Sequence, residues 1–217
     1  MPAVELDLQD CIGCGLCSDL CQYEGAVTIR DQKASINEKY CKGCGLCVGI
    51  CPASALNIRY LTRGQISARV RVFLGTARVS EEFEPKIMIF ICDWASRKGV
   101  SLDEVKKIER SSNVRATKFP CIGAVDPVLI FDAFLNGADG VLVVGCEEGD
   151  CDNKESNLNI IPRIEYAKMG LEDMCLEPER LKVDLIKLLE ARDKFSGTVK
   201  EVIETIRNLG PSPLTKQ

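Results

Sequence analysis

Cys11-Ile-Gly-Cys-Gly-Leu-Cys17, followed by Cys21, recurs thirty residues later as Cys41-Lys-Gly-Cys-Gly-Leu-Cys47, followed by Cys51-Pro52. Both runs read C-x2-C-x2-C-x3-C, so the first part of the chain is an internal repeat. Eight of the thirteen cysteines of this 217-residue chain fall here. An odd cysteine count, with no secretory signal in Met1-Pro-Ala-Val-Glu5, argues against a disulfide framework and for reduced thiols at metal-ligand spacing. Three ligands within seven residues demand a tight loop, and Gly13, Gly15, Gly43 and Gly45 remove the Cβ atoms that would crowd it.

This arrangement resembles the bacterial two-cluster ferredoxin signature, in which three cysteines of a run wrap one cubane and the fourth ligates the other. The resemblance assigns Cys11, Cys14, Cys17 and Cys51 to one [4Fe–4S] cluster, and Cys41, Cys44, Cys47 and Cys21 to a second. The fourth cysteine of each run is expected to start a helical turn crossing to the other cluster. Gln22 stands where the second run has Pro52, which leaves the ligands intact and alters the local loop. Zinc sites use paired C-x2-C, and dithiol redox enzymes need two thiols, so both fit less well. Ala26–Arg30 and Lys33–Asn37 around Asp31-Gln32 read as a hairpin, and Val4–Leu8 should pair with Leu56–Tyr60. Residues 1–60 are therefore expected to form an α+β ferredoxin-like module.

Composition narrows the rest. There is no histidine, which excludes Ser-His-Asp and Cys-His catalysis, His-ligated haem, a Rieske centre and His-containing zinc sites. With 28 Lys+Arg against 32 Asp+Glu the net charge is −4, and no basic footprint for nucleic acid or an anionic membrane is expected. No apolar run nears the roughly 20 residues of a membrane span. A cytoplasmic location is the expectation.

Residues 61–84 are expected to be a basic connector, with Arg63, Arg69, Arg71 and Arg78 and no acid before Glu81. Ser67–Phe73 alternates with period two, predicting a strand with Val70 and Val72 on one face and Arg69 and Arg71 on the other. That basic face is either solvated or a strip for an acidic partner.

From 85 to 217 the pattern becomes α/β with a mainly parallel sheet. Lys86–Cys92, Val114–Phe119, Gly140–Gly145 and Arg180–Leu185 read as strands. Helices are expected from the capping box Ser101–Glu104 to about Arg110, from Asp126-Pro127 through Phe134, from near Pro162 to Leu171, and over Ser196–Leu209. Alternation of this kind means right-handed crossovers, with strand carboxyl ends along one edge. Cys92 and Cys146 end strands, Cys121 follows one across Pro120, and Cys151 lies in the loop beyond. Together they form a ligand set for one more metal centre, while Cys175 is expected to be a non-ligand.

Ile91-Cys-Asp-Trp94, Pro120-Cys-Ile-Gly123 with Val125-Asp-Pro127, and Asn136-Gly-Ala-Asp-Gly-Val-Leu-Val-Val-Gly-Cys-Glu-Glu-Gly-Asp-Cys151 resemble the delta subunit of methyl-viologen-reducing hydrogenase. The resemblance implies a [2Fe–2S] cluster on Cys92, Cys121, Cys146 and Cys151. Ala95 and Glu147 depart from that family, which commonly has a cysteine and a histidine there. No phosphate-binding glycine loop is present, so no catalytic residue is assigned. The resemblance implies an electron-transfer subunit of an oxidoreductase complex in anaerobic metabolism. It would link a hydrogenase, formate dehydrogenase or other dehydrogenase to a flavin-containing heterodisulfide-reductase-like subunit. The competing expectations are a thiol–disulfide or small-molecule reductase using Cys146 and Cys151, and a zinc-stabilised scaffold.

Overall fold

A computed structural model describes residues 4–75, 82–93, 106–107, 113–187 and 191–214, with the backbone alone for 191–193. In the N-terminal module, β1 (Val4–Leu6) pairs antiparallel with β4 (Leu56–Ile58), Val4 facing Ile58. The hairpin of β2 (Val27–Arg30) and β3 (Lys33–Ile36) turns on Asp31 and Gln32, at φ 48° and 59°. Positive φ at both central residues gives the turn whose twist matches paired strands.

Two single helical turns, α1 (Leu16–Asp19) and α2 (Leu46–Gly49), carry the third cysteine of each run. The fourth cysteine follows the turn, after Leu20 and Ile50, and does not start it as expected. Gly15 and Gly45 open these turns at φ 85° and 82°, a left-handed backbone that costs other residues energy. The glycines thus set chain direction as well as clearing space.

The connector corrects a second expectation. Residues Arg63–Leu74 form a helix, α3, and not a strand. Thr62 caps it, its hydroxyl accepting from Gln65 N–H while the Gln65 side chain accepts from Thr62 N–H. Ile66, Val70 and Leu74 recur every four residues and are buried, as one helix face requires. Val70 is 0 % exposed and Val72 75 %, so the period-two alternation is coincidental over so short a stretch. Arg63 pairs with Asp126; Arg78 lies outside the described residues.

The C-terminal domain is a four-stranded parallel sheet in the order β6-β5-β7-β8. Its strands are β5 (Ile87–Cys92), β6 (Val114–Phe119), β7 (Gly140–Cys146) and β8 (Leu181–Ile186). Every residue of β5 and β7 is buried, because both faces are covered. Met88, Phe90, Val141 and Val143 face a core shared with α3, α4 (Pro127–Leu135), α5 (Ile161–Asp173) and the N-terminal module. Ile87, Ile89, Ile91, Leu142 and Val144 face α6 (Ala191–Leu209) through Phe195, Val199, Val202 and Ile206. Asp126 caps α4, accepting from Leu129 N–H at 2.8 Å, with Pro127 at its first position. The capping box expected at Ser101–Glu104 lies outside the described residues.

Because β6 and β7 lie on opposite sides of β5, the chain reverses direction across the sheet there. The crevice at the carboxyl ends of β5 and β7 is where open α/β sheets form sites. Cys92 and Cys146 end these two strands.

Candidate metal centres

The N-terminal cysteines surround two separate cavities. One is lined by Cys11, Cys14, Cys17 and Cys51. The other is lined by Cys21, Cys41, Cys44 and Cys47. Each therefore takes three thiols from one run and the last from the other. Gly13, at φ 71°, lies under the β2–β3 turn, where a Cβ would strike the Gln32 carbonyl. Lys33 donates to the Leu8 carbonyl at 3.0 Å and to the Cys11 carbonyl, holding the first loop to β3.

The electrostatics differ between the two cavities. Hydrogen bonds from the Ala34 and Gly13 backbone lower the Cys11 thiol. Burial raises Cys17, Cys44 and, most strongly, Cys47. Neighbouring thiolates add to the rise in Cys17 through Cys14 and Cys51, and in Cys44 and Cys47 through Cys21 and Cys41. Four thiolates so close are unfavourable without positive charge between them, and a bound metal core supplies it. Among the described residues, no three Cys, Asp or Glu side chains are placed to hold a single metal ion. A [4Fe–4S] core takes one thiolate on each iron, so its ligands stand farther apart than those of a single ion.

A third group of sulfurs lies at the sheet crevice. Cys92 and Cys146 Sγ stand 3.7 Å apart. The neighbouring Cys121 and Cys146 thiols lower the Cys151 thiol to about 3. Cys151 in turn pushes Cys121 and Cys146 up, and burial adds to this. Cys92, Cys121 and Cys146 are buried and Cys151 is partly exposed. Gly123 N–H points at Cys121 Sγ at 3.4 Å, and the nearby Asn153 and Asn157 backbone helps to lower the Cys151 thiol. The Asn157 side chain donates to the Cys146 carbonyl at 2.7 Å. Four convergent sulfurs with backbone donors and little competing solvent are a donor set suited to a thiophilic metal group. Cys175 is exposed, in the turn after α5. Ala95 lies outside the described residues.

The two parts of the chain pack directly. A Cβ on Gly45 would meet Ala124 Cβ at 2.7 Å, and one on Gly49 would meet the Gly123 carbonyl at 2.5 Å. The second cavity is thus pressed against the Ile122–Ala124 turn that follows Cys121. Sequence reasoning does not reach Asn153, Ser156 and Asn157, buried polar residues of the intervening segment. Their signal is the cluster of polar residues directly after Cys151. Nor does it reach Arg163, whose guanidinium donates to the Val125 and Asn159 carbonyls at 2.8 and 2.9 Å. Burial lowers that guanidinium to about 10, opposed by the nearby Asp126 and Cys121.

Residues 4–58 match the 4Fe-4S dicluster domain, and residues 87–210 the family described as methyl-viologen-reducing hydrogenase, delta subunit. The chain is 34 % identical over 206 residues to one of the subunits of the ferredoxin:CoB-CoM heterodisulfide reductase of Methanosarcina mazei, covering 95 % of this chain. It spans about a quarter of that relative's length, as it does for the corresponding heterodisulfide reductase polypeptide of Methanosarcina acetivorans. It is 36 % identical over 133 residues to an iron-sulfur subunit of the F420-non-reducing hydrogenase of Archaeoglobus profundus, covering 61 % of this chain and 96 % of the relative. The N-terminal module is a dicluster domain, as its repeat suggested. Among the described residues no helix is long and apolar enough to cross a membrane.

Proposed function

The chain belongs to the methyl-viologen-reducing hydrogenase delta-subunit family, and on that premise we propose that it is an iron–sulfur electron-transfer subunit. It takes electrons from a hydrogenase, formate dehydrogenase or other dehydrogenase subunit and delivers them to a flavin-containing heterodisulfide-reductase-like subunit, or carries them the other way. Cys11, Cys14, Cys17 and Cys51 hold one [4Fe–4S] cluster, and Cys21, Cys41, Cys44 and Cys47 the other. Cys92, Cys121, Cys146 and Cys151 hold a [2Fe–2S] cluster. When bound, all-thiolate clusters supply one-electron chemistry, with plant-type [2Fe–2S] potentials near about −400 mV.

The chain's own residues do the rest. The buried strand ends that carry Cys92 and Cys146 exclude water, and the N–H group of Gly123 aims partial positive charge at the Cys121 sulfur. The observation that carries this reading is the meeting of Cys92, Cys121, Cys146 and Cys151 at one crevice, beside the dicluster domain. Cys146→Ser tests it. The variant should lose about two iron atoms per chain, keep both cubane signals, and no longer pass electrons from the reduced dicluster domain to a flavin acceptor. Unchanged iron content would defeat the assignment.

One observation favours a second reading. Cys151 is partly exposed, with a thiol held down by two neighbouring thiols, as an attacking thiol in a disulfide reductase would be. Alkylation of the protein as purified separates the two. Rapid modification of Cys151 supports the reductase, and protection until metal is chelated supports the carrier.

A further inference from the structure

We propose that Gln22 is a positioning residue that fastens the Cys21/Cys41/Cys44/Cys47 cavity to the Cys92/Cys121/Cys146/Cys151 site through the segment Asn153–Asn157, and so makes the second cubane the immediate neighbour of the C-terminal centre. The inference rests on the electron-carrier reading and adds the order of its centres and the residue that keeps them in place.

The two cysteine runs are close copies, and after their last cysteine they part: Gln22 in the first, Pro52 in the second. A proline side chain offers no acceptor. The Gln22 side-chain carbonyl accepts from Glu155 N–H and from the Ser156 hydroxyl, each at 3.2 Å, and its backbone carbonyl accepts from Lys154 Nζ at 2.5 Å. Next to it, Tyr23 donates to Asn153 Oδ1 at 3.0 Å, and the Lys154 ammonium sits 5.4 Å from the Tyr23 ring centre. Residues 22 and 23 therefore grip one segment at four consecutive positions, 153 to 156.

The same segment joins both centres. It follows Cys151 directly in the chain, and Gln22 and Tyr23, which hold it, line the Cys21/Cys41/Cys44/Cys47 cavity. Asn157 also pins the carbonyl of Cys146. Asn153, Ser156 and Asn157 are almost wholly buried. Asn153 Oδ1, the Ser156 hydroxyl and Asn157 Nδ2 each have a partner here, and undocking would leave the first two without theirs, which favours the docked arrangement. Gln22 acts through this segment on the Cys151 sulfur and on the separation between centres.

The test uses the full, cluster-loaded chain with Gln22→Ala, Gln22→Pro and Gln22→Glu. Glutamate keeps an oxygen that accepts from both donors. We expect Ala and Pro to speed amide exchange at Glu155 about tenfold. They should also weaken the magnetic interaction between the second cubane and the C-terminal centre in the electron paramagnetic resonance (EPR) spectrum of the fully reduced protein. Gln22→Glu should restore both. Faster exchange with an unchanged interaction and full iron content overturns the positioning role and leaves the carrier reading standing. Iron short by about two in the wild-type chain overturns both, since no third centre is then present to be positioned.

Discussion

The hydroxyl of Tyr23 donates to Asn153 Oδ1 across 3.0 Å, joining the residue two beyond Cys21 to the residue two beyond Cys151. It links parts of the chain 130 residues apart. Tyr23→Phe keeps the ring under Lys154 and deletes only the donor, leaving the buried Asn153 oxygen unmet. The variant should be less stable by about 1–2 kcal/mol in chemical denaturation of the loaded protein. A midpoint equal to wild type would mean that this bond adds nothing to the docking.

Gly49 faces the Gly123 carbonyl where α2 meets the C-terminal domain. Adding a methyl group as Gly49→Ala forces backbone apart, at a cost of about 1–3 kcal/mol. Since Gly49 is not a ligand, its iron content should stay at the wild-type level while limited proteolysis between the two parts accelerates.

Arg180 is buried and donates to the Asp139 and Gly210 carbonyls at 3.1 and 3.0 Å, and to Glu177 at 2.5 Å. Asp139 in turn accepts from Lys86 N–H and Ser212 N–H. Arg180→Met should destabilise by about 3 kcal/mol, because the carbonyls and Glu177 lose a charged donor together. The pairing with Arg180 lowers the Glu177 carboxyl. A lowered carboxyl adds stability above its unfolded value, and that stability is lost as pH falls through the folded value. Below about pH 4.5, the wild type should therefore lose more stability than Glu177→Gln does.

Thr62 caps α3 with Gln65. Thr62→Ala should cost about 1 kcal/mol and lower the helical circular-dichroism signal. An unchanged signal would mean that α3 does not depend on its cap.

How far the sequence reaches follows from the physics of each part. Strands β5 and β7 are readable because a sheet covered on both faces needs apolar runs, the edge strands β6 and β8 mix polar and apolar residues, and Asp126-Pro127 marks α4 because cap and first-turn proline are local chemistry. The grouping of Cys92, Cys121, Cys146 and Cys151 is readable from topology, since parallel strands end on one edge. Helix α3 reads as a strand because seven residues satisfy a period of two by chance. Its own signature, Ile66, Val70 and Leu74 at a spacing of four behind the Thr62–Gln65 capping box, is present in the sequence and is outweighed by that shorter alternation. The role of Gln22 is visible only as a departure from Pro52; its partners lie more than 130 residues away.

The most direct measurement is iron and acid-labile sulfide content of the anaerobically purified chain, with EPR after reduction. The account predicts about ten iron and about ten sulfide per chain, with signals of two cubanes and one [2Fe–2S] cluster. About eight iron would leave the Cys92/Cys121/Cys146/Cys151 site without its cluster, and a colourless protein holding zinc without sulfide would contradict the account as a whole.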